Sequence, residues 1–192
     1  MSITTRQGDD GRTRLYSGET VLKSHPRPSV CGDLDEAVST LGLARALAAV
    51  PRVAAELLGI QKTLFLVGAE LATTPEGLKR LGERLGPSHL EGLDRLGAEL
   101  EGEVRLPPVF VVPGGAPGSA ALDLARAVVR RLERAAVALG ESEPAVRANP
   151  ILLPFLNRLS DCLFLLARYE EQQQGIGYQR LKGEKEQGAP QD

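Results

Sequence analysis

Apolar side chains recur at a helical period along most of this chain. Leu34, Val38, Leu41 and Ala44 repeat every three or four residues, the pattern of a helix with one buried face. Asp33 followed by Glu36 has capping-box spacing, so a first helix is predicted to start at Asp33. Pro51 ends it or opens the next. Leu57, Ile60, Leu64, Gly68 and Leu71 predict a second helix over 53–72. Ser88 and Glu91 form another capping-box pair before Leu90, Leu93, Leu96 and Leu100. A proline- and glycine-rich loop, LPPVFVVPGGAPGS, follows. The stretch ALDLARAVVRRLER, 121–134, then opens a helix running to about Leu139, with Leu124, Val128, Leu132 and Leu139 predicted on its buried side. The last periodic segment, 151–174, is apolar on nearly every side, so it is predicted to be central. Its Pro154 is tolerable because it falls in the first turn.

Five substantial helices and no convincing strand predict an all-α protein. The expected architecture is a five-helix bundle with ferritin-like up-and-down packing. Residues 1–32 read as an irregular N-terminal arm, 33–174 as the bundle and 175–192 as a mobile tail. With 192 residues, 4% aromatics and no Trp, the core must be built from Leu, Ala and Val. The formal net charge of −2 supplies no global basic field for nucleic acid. Asn157, Arg158 and Asp161 interrupt the longest apolar region, so no membrane span is expected. Cys31 and Cys162 have neither metal-ligand spacing nor a disulfide framework, and no apolar leader precedes the chain's first glycines. A reducing cytoplasm is the expectation.

Several polar groups sit uneasily in a plain bundle. Arg126, Arg130 and Arg134 form an i, i+4, i+8 stripe, with Arg131 beside them. Like charges at that spacing repel. The stripe is either a solvated face or faces an anion. Asn157 and Asp161, with Arg158 and Arg168 nearby, are hydrogen-bonded core groups or site residues. Asp35 is a helix-start charge or the counter-charge that the arginines lack. The glycines of TTRQGDDGRTRLYSGE, with Thr5, Thr13 and Ser17, are a flexible arm or a backbone nest for phosphate. No Walker loop is present. His25 and His89 read as surface residues, and neither completes a di-iron Glu-x-x-His pair.

The blocks TRQGDDGRTRLYSGE, GDLDE, IQKTLFLVGAELAT, FVVPGG, ARAVVRRLER and FLNRLSDCLFLLAR resemble, in that order, the PduO-type ATP:cob(I)alamin adenosyltransferases. The resemblance spans residues 4–169. It implies a homotrimer that binds ATP, with Mg²⁺, and cobalamin between subunits. It implies transfer of the 5′-deoxyadenosyl group from ATP to Co(I), with release of triphosphate. By the same resemblance, Thr5, Arg6, Gly8, Asp9, Gly11, Thr13 and Lys23 belong to the segment that folds over the phosphates. Arg126, Arg130 and Arg134 line the triphosphate and interface face, with Arg130 opposite Asp35 of the adjacent subunit. Glu133 falls near ribose and metal, and Asn157 at the nucleotide. Phe110 fills the lower corrinoid face, and Asp161 is assigned to the corrinoid site. Phe110 is otherwise a loop anchor. A reductase or an adenosylcobalamin-dependent enzyme is the implied partner. Gln7 and Arg14 depart from the family pattern in the phosphate loop. A non-catalytic corrinoid or nucleotide carrier on the same fold, and a purely structural bundle, are the competing readings.

Overall fold

The computed structural model describes residues 4, 6–106, 108, 110–143 and 148–179. Five α-helices are present: α1 Pro26–Leu47, α2 Pro51–Leu71, α3 Pro87–Glu103, α4 Pro117–Ser142 and α5 Leu152–Gln173. Two short strands precede them, β1 Arg12–Arg14 and β2 Thr20–Leu22. These pair antiparallel, with Arg12 opposite Leu22, Thr13 opposite Val21 and Arg14 opposite Thr20. This hairpin corrects the expectation of no strand. Three-residue strands of mostly exposed polar side chains carry no periodicity to detect.

The five-helix expectation holds, and the helix starts explain where its boundaries shift. Each of α1 to α4 opens on a proline, whose missing N–H is one of the unpaired donors of a first turn. The first helix therefore begins at Pro26, inside the stretch assigned to the arm, and not at Asp33. His25 is its N-cap, with Nδ1 accepting from the Arg27 N–H at 3.2 Å. Asp35 consequently lies mid-helix, not in a first turn. The start of α3 is also different from the Ser88–Glu91 reading: the His89 Nδ1 accepts from the Gly86 N–H at 3.0 Å. Both histidines are half-buried caps, not free surface groups. The fourth helix continues past Leu139 to Ser142.

In space, α2 packs on α1, α1 on α4, α4 on α5, and α5 on α3. The fifth helix is central, as its apolar breadth required. Leu156, Leu159, Leu163 and Leu166 are fully buried there. The core side of α4 consists of Leu122, Ala125, Val129, Leu132, Ala136 and Leu139. Leu124 does not join it, being 51% exposed. Among the described residues, no helix is long and apolar enough to cross a membrane.

Buried charge holds the helix ends together. Arg27 is 2% exposed. It donates to the Leu71 and Thr73 carbonyls at 2.8 and 2.7 Å and to Glu143 at 2.6 Å. One guanidinium thus satisfies carbonyls at the end of α2 and ties the ends of α2 and α4 to the start of α1. On α5 the buried polar residues are Ser160, Arg168, Glu170 and Glu171. Asn157, Arg158 and Asp161 are exposed, so of the two readings of Asn157 and Asp161 the core one does not hold. The residues that broke the apolar run mark the outer stripe of α5. The expected mobile tail begins with ordered chain: the Val112 N–H donates to the Gln179 carbonyl at 2.9 Å. Residues 180–192 lie outside the described residues.

Candidate functional site

Three groups of predicted site residues occupy three places on the chain. The first is the hairpin. Its loop folds back on itself through Asp9 N–H to the Arg6 carbonyl, Gly11 N–H to Gly8 and Lys23 N–H to Gly11, at 3.4, 3.2 and 2.9 Å. Arg6 and Gly11 take positive φ, 60° and 79°. The left-handed turn at Gly11 suits a residue without a side chain. The Lys23 ammonium closes over Gly8, where a Cβ would meet Nζ at 3.0 Å. An open cleft of about 380 Å³ lies elsewhere, between α2 and α3; the cleft at the hairpin is larger, about 580 Å³. Gln7, Gly8, Asp10, Arg12, Thr13, Arg14, Thr20 and Lys23 line the hairpin cleft. Gly8, Thr13 and Lys23 are brought together there as expected, with the divergent Gln7 and Arg14 beside them. Thr5 lies outside the described residues. Ser17, grouped with the possible phosphate hydroxyls, points elsewhere: its hydroxyl bonds Glu19 and the Thr74 N–H.

The second group is the exposed side of α4. Arg131 is absorbed within the chain by Asp33, at 3.3 Å, and by Glu36. These pairings raise its pKa, with the hydrogen bond to Glu36 the leading cause. Arg126, Arg130 and Arg134 have no carboxylate partner among the described residues. Arg134 Nη1 donates to the Arg130 carbonyl, at 3.1 Å. Arg126 Nε is buried and without a hydrogen-bond partner, an arrangement that costs free energy unless something else accepts from it. On the same helix, Glu133 Oε1 accepts from Asn157 Nδ2 of α5 at 3.1 Å, so these two form one polar pair. Asp35 is exposed on α1 and makes no ion pair within the described chain.

The third group is the loop before α4. Phe110 is 80% exposed, which rules out the loop-anchor reading for its ring. The loop is anchored instead by the Val112–Gln179 backbone bond. Asp161 is not near any of these groups through a hydrogen bond. It sits 3.6 Å from Arg158, which pairs with Asp94 of α3 at 2.5 Å. That cluster lines the groove between α3 and α5. Arg168, expected near Asn157 and Asp161, is instead buried against Asp123 at 2.6 Å.

The hairpin cleft has no lining residue from α4. The sequence pattern pointed to both surfaces. It missed the Arg27 and Arg168 clusters, because single charges in amphipathic helices give no sign of being buried.

Known proteins resemble this chain over most of its length. The cobalamin adenosyltransferase family model matches residues 3–170. A corrinoid adenosyltransferase of Citrobacter freundii is 38% identical over 169 residues, covering 88% of this chain and 94% of the relative. The corrinoid adenosyltransferase PduO of Salmonella typhimurium is 35% identical over 171 residues, covering 89% of this chain. The matched part is 50% of that longer relative, so the chain spans half its length. Among solved structures, a phenylalanine-to-alanine variant of the PduO-type ATP:corrinoid adenosyltransferase from Lactobacillus reuteri, complexed with cobalamin and ATP, superposes with a TM-score of 0.87. It is 29% identical, and the match covers 95% of this chain and 100% of that one. An arginine-to-lysine variant of the same enzyme, complexed with ATP, gives 0.83 at 29% identity, over 94% of this chain and 100% of that one. With the match running from the N-terminal hairpin into the last turn of α5, this chain belongs to the cobalamin adenosyltransferase family.

Proposed function

We propose that this chain transfers the 5′-deoxyadenosyl group of ATP to the cobalt of cob(I)alamin. The Co–C5′ bond forms from the Co(I) electron pair. The C5′–O bond breaks, and triphosphate leaves with its electrons. The observation that carries this reading is the α4 stripe: Arg130 and Arg134 are exposed and Arg126 is half-buried with an unpartnered Nε, and none of the three has a carboxylate partner among the described residues. Arginines preorganised beside a departing polyphosphate stabilise the charge that develops on it.

The remaining residues supply position rather than proton transfer. Co(I) is a strong nucleophile and needs no general base. Gly8, Thr13 and Lys23 grip phosphate oxygens in the hairpin cleft, with Arg6, Asp9 and Gly11 shaping its turn. Thr5 belongs to the same segment. Glu133 and Asn157 hold the nucleoside end. Magnesium would enter with ATP and neutralise phosphate charge, and Glu133, whose Oε1 accepts from Asn157, would be the carboxylate that holds it. Phe110 presents an apolar ring to the lower face of the corrinoid, keeping an axial ligand away.

A homotrimer completes the site in this reading. It brings the hairpin cleft of one subunit to α4 of the next, and Arg130 to Asp35 of the partner subunit. Both side chains are exposed and lack an ion pair within the described chain, which supports the pairing. A cytoplasmic location, with a reductase or an adenosylcobalamin-dependent enzyme as partner, belongs to the same proposal.

Anaerobic incubation with ATP, Mg²⁺ and chemically reduced cobalamin tests it. The expected result is the adenosylcobalamin spectrum with one triphosphate released per product. No spectral change would overturn it. Because Gln7 and Arg14 line the cleft, a carrier reading also has an observation behind it. A carrier would melt at a higher temperature with ATP yet form no product, and a structural bundle would show neither effect.

A further inference from the structure

The hairpin runs on into α1 through residues 23–25 and is tied to the bundle a second time at its tip. The strands open toward the cleft at residues 7–14 and 20–23. The opposite end, residues 15–19, rests on the corner that follows α2. There the Tyr16 N–H donates to the Ala72 carbonyl at 3.0 Å. The Thr74 N–H donates to the Ser17 hydroxyl at 3.1 Å, and the Thr74 hydroxyl donates to Glu19 Oε1 at 2.9 Å. The Ser17 hydroxyl donates to Glu19 Oε2. Both oxygens of Glu19 are thus used. Leu15 is buried beneath the turn. Gly77 completes the seat, because a Cβ there would lie 2.6 Å from Ser17 Cβ. The hydrogen bond from Ser17, with that from Thr74, holds the Glu19 carboxyl below its ordinary range.

We infer that Ser17, Glu19 and Thr74 form a latch that positions the hairpin cleft for the polyphosphate of the nucleotide, a role that rests on the nucleotide reading above. None of the three lines the cleft. They act through the strands. The register of β1 and β2 is short, three pairs, and two strands alone are marginal in water. The tip contacts therefore decide whether Thr13, Arg14 and Lys23 hold one arrangement before ligand arrives. A preordered cleft avoids the entropy of ordering it on binding. With the latch open, ATP binding must supply that ordering. The bound state, and hence the chemical step, is the same.

The test uses Ser17→Ala and Thr74→Val in the full chain, with Thr74→Ser as the conservative control. Losing one or two such hydrogen bonds is expected to raise KM for ATP about threefold to tenfold. The kcat and the KM for cobalamin are expected to stay within about twofold of wild type, and Thr74→Ser to stay close to it. Hydrogen exchange of the ATP-free proteins gives an independent readout. The backbone amides of residues 11–15 and 20–23 are expected to exchange faster in Ser17→Ala and Thr74→Val, with protection of α4 and α5 unchanged. Unchanged hairpin exchange, or an unchanged KM for ATP, overturns the latch. A fall in kcat with KM for ATP unaltered overturns it as well. If wild type itself forms no adenosylcobalamin, the enzymatic reading fails. The exchange experiment then still decides whether the latch orders the hairpin.

Discussion

Arg168 is a full charge with 0% exposure, held by three neighbours. Nη2 donates to Asp123 Oδ2 at 2.6 Å and to Glu171 Oε1 at 3.2 Å. Nε lies 3.1 Å from Glu171 Oε2, without hydrogen-bond alignment. The guanidinium also lies 5.3 Å from the Phe164 ring centre. Removing one member of such a cluster leaves buried charge uncompensated. Arg168→Ala is therefore expected to cost about 3–5 kcal/mol, read as a lower urea midpoint with an unchanged slope. Cys162 illustrates the opposite case, a thiol made inert by its surroundings. It is fully buried with Sγ donating to the Leu93 carbonyl at 3.3 Å. Burial, reinforced by Asp161, pushes its pKa up to about 12. The thiolate is the reactive form, so alkylation of Cys162 at pH 8 is expected only after unfolding. Burial also raises Cys31, which is half-buried and should label first. Rapid native-state labelling of Cys162 would contradict the packing of α3 on α5.

Among the elements, α2 and α5 were plain from the residue pattern because each buries one coherent apolar surface. The start of α1 was not. Pro26, Pro28 and Gly32 read as loop punctuation, yet a proline at the first helical position stabilises a start. What commits α1 to begin there is tertiary: Arg27 reaches the carbonyls at the end of α2 and the carboxylate of Glu143 after α4. No local pattern reports such a partner. The hairpin was missed for the same reason, since its tip is fixed by Ala72 and Thr74. Gly8, Thr13 and Lys23, which line one cleft, were nonetheless grouped through family resemblance, without the strands that carry them. Arg27→Ala is expected to lower stability by about 2–4 kcal/mol. Its hydrogen-exchange protection should be lost first at the start of α1 and the end of α2, where the bonds are made. Uniform loss across all five helices would contradict this local role.

At the scale of the whole molecule, the surfaces that would form the site are incomplete in one chain. Among the described residues, Arg126, Arg130 and Arg134 of α4 lack a carboxylate partner and Asp35 lacks a cation. Charge reversal by Asp35→Arg is expected to weaken assembly, seen by light scattering as a lower mass. The double exchange with Arg130→Asp is expected to restore it, because a pair across an interface depends on opposite sign rather than on which side carries it. Assembly unaffected by either change would separate these two residues. Catalysis imposes a stricter demand, that the hairpin and the stripe meet at one ligand. Mixing two inactive proteins, Lys23→Ala and Arg134→Ala, under conditions that exchange subunits tests this most directly. If each site takes its hairpin from one subunit and its α4 from the next, mixed trimers contain some intact sites and adenosylcobalamin synthesis returns. A mixture that exchanges subunits and stays as inactive as its parents, while wild type turns over, would contradict the shared site.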